Sequence, residues 1–124
     1  MTTYLMQLLI DTTDRQKIIL ALLEGKQMFA SLEKSLPELS ERLLLELKQF
    51  LKKHKVALSD LEKILVNPGP GGFSTTRTGV ATANALAFAL EIPVAEYPSG
   101  IIKDIILPKY DKAPNITRSS KALV

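Results

Sequence analysis

The chain has no cysteine and a single histidine. It can form no disulfide and offers no thiolate to a metal, and one imidazole without a partner does not make a conventional zinc site. No apolar run reaches the ~18 residues that a membrane-spanning helix needs. The first residues lack the basic stretch and long apolar core of a signal peptide. Neither GxxxxGK[ST] nor GxGxxG occurs, so the common phosphate-binding fingerprints are missing. Gly-x-Ser-x-Gly is also missing, and the serines have no His-Asp pattern around them. We therefore expect a cytoplasmic protein with no membrane contact, no metal, no cofactor and no catalytic constellation.

What is there is 124 residues, 46% of them apolar, enough for one domain with a real core. The net charge of +3 is uneven: residues 1–99 carry eleven basic and eleven acidic side chains, and residues 100–124 carry five basic against two acidic. The expected division is a body over 1–107 and a basic extended tail over 108–124. Two readings of that tail stand: a solvated segment, or a strip that touches RNA phosphate or an acidic partner.

Tyr4–Ile10 reads as a strand ending at Asp11. Lys17–Leu23 and Gln27–Leu32 read as a hairpin about the turn Glu24-Gly25-Lys26. A helix follows from Pro37 to His54, with Leu39, Leu43, Leu44, Leu47, Phe50 and Leu51 at helical spacing. His54 ends it and reads as solvated. Ser59–Glu62 is a turn, Lys63–Val66 a fourth strand, Thr75–Leu90 a second helix and Pro93–Tyr97 a fifth strand. Ile101–Leu107 is a short helix or strand. The second helix has no charge between Arg77 and Glu91 and is apolar on all sides, so it needs cover beyond one sheet face. The broad stripe of the first helix admits either a second partner or burial on two sides within its own domain. The order β-β-β-α-β-α-β predicts an α/β domain with a mixed sheet, a meander followed by parallel crossovers.

Between the fourth strand and the second helix lies Asn67-Pro68-Gly69-Pro70-Gly71-Gly72-Phe73-Ser74-Thr75-Thr76-Arg77-Thr78-Gly79. Its glycines and prolines fix an unusual backbone path, and Ser74, Thr75 or Thr76 is expected to cap the helix. Arg77, read as first-turn, opposes the helix dipole, which suggests a carboxylate or carbonyl contact against a purely structural role.

This stretch resembles the TsaB (YeaZ) family of tRNA-modification proteins. The likeness rests on Gly69, Pro70, Gly71, Phe73, Ser74, Arg77 and Gly79, on Leu90-Glu91-Ile92-Pro93-Val94 after the helix, and on Leu8-Leu9-Ile10-Asp11-Thr12-Thr13 at the start. It covers about residues 5–100. The resemblance implies one lobe of the actin/hexokinase/Hsp70-like fold, also called ASKHA and related to RNase H, in a chain shorter than its relatives. Leu107–Pro114 is similar to the Pro-x-Tyr end of longer members, as though the second lobe were lost internally. Where many members place a histidine at the start of the first helix, this chain has Leu39.

By resemblance the chain is a non-catalytic subunit that pairs with TsaD, and through it with TsaE, for threonylcarbamoyl transfer to adenosine 37 of tRNA. The family's helical-bundle interface maps onto Leu39, Leu43, Leu47, Val80, Ala83, Asn84 and Ala87, with Asn84 fixing register across the bundle. Asp11 falls where nucleotide-binding relatives of the fold hold phosphate. In a single lobe it is expected to stabilise a turn instead. The alternative is a homodimeric binding module with a regulatory role, or an RNA contact through the basic tail.

Overall fold

The structure, a computed structural model, describes residues 5–35 and 37–110. Six strands form one sheet in the order β3-β2-β1-β4-β5-β6. They are β1 (Met6–Asp11), β2 (Lys17–Glu24), β3 (Gln27–Ser35), β4 (Leu61–Val66), β5 (Val94–Glu96) and β6 (Ile102–Lys103). β1 pairs antiparallel with β2 and parallel with β4, and β4 pairs parallel with β5. The two parallel steps are crossed by α1 (Leu39–Lys53) and α2 (Phe73–Leu90). This is the predicted mixed sheet, extended by β6, which turns back antiparallel onto β5.

The strand periodicity of two sorts side chains between the faces. Met6, Leu8, Ile10, Ile18, Leu20, Leu22, Ile64, Val66 and Val94 point to one side and form the main core with α1 and α2. Leu9, Ala21, Leu23, Leu65 and Ala95 form a second buried cluster on the opposite face, with Tyr97 packed against it. Both helices therefore share one face of the sheet.

Several expectations are corrected. Strand three runs on to Ser35, because Ile18 and Lys17 of β2 continue the pairing to Lys34 and Ser35. Helix α2 begins at Phe73 with Gly72 as its N-cap and no side-chain cap bond. Ser74, Thr75 and Thr76 thus lie inside the first turn, and Arg77 lies beyond it. His54 is not a solvated end: it is half-buried, with its ring edge-on to Phe50 at 5.0 Å and to Phe29 at 6.4 Å. Ile101–Leu107 is neither a helix nor a full strand. Past β6 it runs as an irregular strap that buries Ile106 to 1% exposure.

The expected tail boundary at 107/108 falls inside that strap. The Lys109 amide donates to Pro68 O at 2.6 Å, and the Tyr110 ring lies 4.5 Å from that of Phe73. The basic tail beyond Tyr110 lies outside the described residues.

Candidate functional site

The C-terminal ends of β1 and β4 meet at the glycine turn. Asp11 is half-buried there and both of its carboxylate oxygens are hydrogen-bonded. Oδ1 accepts from the Thr13 amide at 3.0 Å and the Thr13 hydroxyl at 2.7 Å, and Oδ2 accepts from Asn67 Nδ2 at 3.1 Å. Asn67 Oδ1 in turn accepts from the Gly69 amide at 3.0 Å. These bonds are those of a turn stabiliser linking the first hairpin to the glycine turn.

The glycines are required by what presses on them. A Cβ at Gly71 would lie 2.5 Å from Thr13 Cβ and 2.6 Å from Thr13 O. A Cβ at Gly69, whose φ is +108°, would run into the Lys109 carbonyl. The Gly72 amide donates to Thr13 O at 2.9 Å. About two helical turns later, a Cβ at Gly79 would overlap Thr12 Oγ1, which donates to Thr75 O at 2.6 Å. The chain thus fills the turn from both sides, with the first hairpin on one side and the strap on the other. Pro70, in a cis linkage to Gly69, is exposed at the tip.

Arg77 is exposed, with its guanidinium 5.5 Å from the centroid of the Phe73 ring. Ser74 is exposed next to it. Together with Ser40, Thr78 and Ala81 these two line a groove of about 320 Å³ between the starts of the two helices. Ser40 and Thr78 share a hydroxyl bond of 3.2 Å across it.

The strap has its own anchors. Asn84 Nδ2 donates to Ile106 O and the Ile106 amide donates to Asn84 Oδ1, both at 2.9 Å. Glu96, 6% exposed, faces Lys103 Nζ at 3.1 Å and Lys109 Nζ at 3.8 Å. The hydrogen bond from Lys103, against the opposing cost of burial, holds the Glu96 carboxyl below its ordinary range.

The seven interface candidates are placed together, but facing inward. Leu39, Leu43, Leu47, Val80, Ala83 and Ala87 belong to the chain's own core at 0–8% exposure. Asn84 is occupied by the strap. The sheet-facing side of each helix carries the stronger apolar stripe, and that stripe is what the spacing detects. The outward side is marked by Leu44 at 51%, Leu45 at 46% and Phe88 at 87% exposure, with Ala81 and Ala85 also exposed. The signal that could have found it is Ala81-Ala85-Phe88, spaced i, i+4 and i+7 on the face opposite the core.

Among the described residues no group of three or more His, Cys, Asp or Glu side chains could hold a metal, and no helix is long and apolar enough to cross a membrane.

The crossed mixed sheet and the hairpin closed against a glycine turn define the chain as one lobe of the actin-like, RNase H-like class. Two structures at 12% identity share that fold with TM-scores of 0.51: a Bacteroides thetaiotaomicron protein with an actin-like ATPase fold, and the Thermus thermophilus RuvC. The family model described as TsaD, tRNA N6-adenosine threonylcarbamoyltransferase, matches residues 33–99, and the chain belongs to that family. Its likeness there is to YeaZ, the TsaB branch. It superposes on YeaZ from Pseudomonas aeruginosa with a TM-score of 0.66 at 28% identity, covering 96% of this chain and 50% of that one. A second structure, described as similar to peptidase YeaZ from Pseudomonas aeruginosa, gives 0.65 at 29% identity, over 94% and 48%. The chain thus spans about half the length of the solved structures it matches. Comparison with curated proteins finds no match.

Proposed function

We propose that the chain is a non-catalytic accessory subunit of tRNA threonylcarbamoyladenosine synthesis. It would act by pairing with TsaD, which supplies the metal and nucleotide chemistry, with TsaE engaging the pair. The observation that carries this reading is the YeaZ likeness over nearly the whole chain, joined to the state of the phosphate-binding corner of the fold. There Asp11 is spent on Thr13 and Asn67, and Gly69 and Gly71 are packed against Lys109 and Thr13. The Gly69 and Gly72 amides are likewise spent, on Asn67 Oδ1 and Thr13 O.

The surface offered to the partner is the outward side of the helix pair: Leu44, Ala81, Ala85 and Phe88. Small residues at 81 and 85 let a second helix approach closely, and Phe88 supplies the large apolar contact that such interfaces centre on. The test mixes the purified chain with TsaD of the same organism and measures mass by size exclusion with light scattering. A one-to-one complex is expected, and Ala85→Arg, at an exposed position that the fold tolerates, should abolish it. A homodimer that ignores TsaD would refute this reading.

A further inference from the structure

We propose that the N-terminal end of α2 carries a contact for single-stranded RNA, built on the ring pair Phe73–Tyr110 and the cations Arg77 and Lys109; this rests on the tRNA-modification reading above. The chain is neutral up to residue 99, and its basic excess begins only after residue 100. The strap carries Lys109 and Tyr110 directly onto the glycine turn. Phe73 and Tyr110 stack at 4.5 Å with a tilt of 32°, and the Arg77 guanidinium completes a row on Phe73.

The row is open to ligand. Phe73 is 45% exposed although it begins a helix with a buried face, and the Lys109 side chain is 58% exposed. Arg77 has no carboxylate partner among the described residues. Glu96 is engaged by Lys103 and Lys109, Asp11 by Thr13 and Asn67, and Asp14 by the Gln16 amide. The groove beside Arg77 adds the hydroxyl of Ser74.

Each part matches one part of a nucleotide strand. Aromatic rings take the flat face of a base, cations take phosphate, and hydroxyls take ribose or base edges. An acidic peptide would use the cations and leave the rings idle. Phe73 is twelve residues from Ala85, ~18 Å along the helix at 1.5 Å per residue, so RNA and a partner helix can be bound together.

The test measures fluorescence anisotropy with a labelled hexariboadenylate and with the same sugar-phosphate chain lacking bases. The base-bearing strand should bind about tenfold tighter or more. Tyr110→Leu should remove most of that difference without lowering the thermal midpoint. Arg77→Gln, at an exposed position, should weaken both strands and lower the slope of log affinity against log salt by about 0.7. Equal binding of the two strands, or binding indifferent to both substitutions, overturns the proposal. So does loss of TsaD pairing in these variants with strand binding unchanged, which assigns the row to the protein interface. Base-dependent binding by a chain that never pairs with TsaD overturns the accessory-subunit reading alone.

Discussion

Replacing a helical glycine by alanine ordinarily stabilises a helix by about 1 kcal/mol. At Gly79 the opposite is expected. The added methyl would overlap Thr12 Oγ1 and lie 3.1 Å from both Thr12 Cβ and Cγ2. Thr12 is 1% exposed, and its hydroxyl is committed to Thr75 O. If Thr12 rotates away, a buried hydroxyl and carbonyl lose their bond, at about 1–3 kcal/mol. If α2 instead moves off β1, the overpacked contact costs about 1–3 kcal/mol. After the propensity gain, a net destabilisation of about 1 kcal/mol remains, a fall in thermal midpoint of roughly 3–6 °C for a domain of this size. The assay is thermal melting followed by circular dichroism on Gly79→Ala, Thr12→Ala and the double variant. Removing the Thr12 side-chain branches clears most of the overlap, so the cycle should show a coupling of at least about 1 kcal/mol. A single variant as stable as the parent, or a cycle that is additive, would refute the claim that Gly79 exists to seat the first hairpin on α2.

Asn84→Ala should cost about 1–3 kcal/mol and speed hydrogen exchange at the Ile106 amide while leaving β1 protected. Asn84→Asp should be as damaging, since it sets a carboxylate oxygen against Ile106 O; a mild effect would mean that the strap is held elsewhere. Glu96→Gln should destabilise by about 1–2 kcal/mol at pH 7, the charge-assisted bonds being tempered by two half-exposed lysines. Because the folded Glu96 carboxyl titrates below its ordinary 4.5, its contribution is complete above that pH and is lost as pH falls through the lowered value. The gap between parent and variant should therefore close in acid, and a gap that stays constant from pH 7 to pH 3 counts against the pairing. Thr76 Oγ1 is buried with no hydrogen-bond partner, so Thr76→Val, of similar shape, should raise stability by about 1 kcal/mol in denaturant titration.

The features legible in the sequence were those with a period or a punctuating residue. The apolar runs in Met6–Asp11 and Lys17–Glu24, the turn at Gly25 and the apolar stripe of Leu39–Lys53 each follow from local geometry, and they account for the first elements of the chain order. The glycine turn was legible because only close backbone approach calls for so many glycines in one place. What was not legible depended on contacts between distant segments. Asn84 looks like a register residue for a foreign helix because it is the one amide side chain midway along an apolar helix. Its partner is the backbone of Ile106, twenty-two positions away, and the sequence of the strap carries no periodicity to announce that. The same holds for the proposed interface. Helical spacing finds the strongest apolar stripe, and in a two-layer lobe that stripe is claimed by the sheet. The weaker outward stripe of Ala81, Ala85 and Phe88 emerges only once the core has been assigned.

The closed corner also bears on whether this lobe can take a polyphosphate. A phosphate cradle needs backbone amides and hydroxyls held in place but unspent. Here the Thr13 and Gly72 amides and the Thr13 hydroxyl are turned inward, to Asp11 Oδ1 and to Thr13 O. Lys109 closes the Gly69 side with its backbone carbonyl, and its half-exposed ammonium lies 3.8 Å from Glu96. Opening the corner to a polyphosphate would break these bonds and lift the strap from Pro68, so occupancy would first have to offset the loss of contacts that join β1, β4, α2 and the strap. The same contacts hold the start of α2 rigid, with Phe73 and Arg77 on its outer side. Millimolar ATP should therefore leave the thermal midpoint unchanged. A rise of several degrees would show that the hairpin opens, and would return the chain to the phosphate-binding members of its fold.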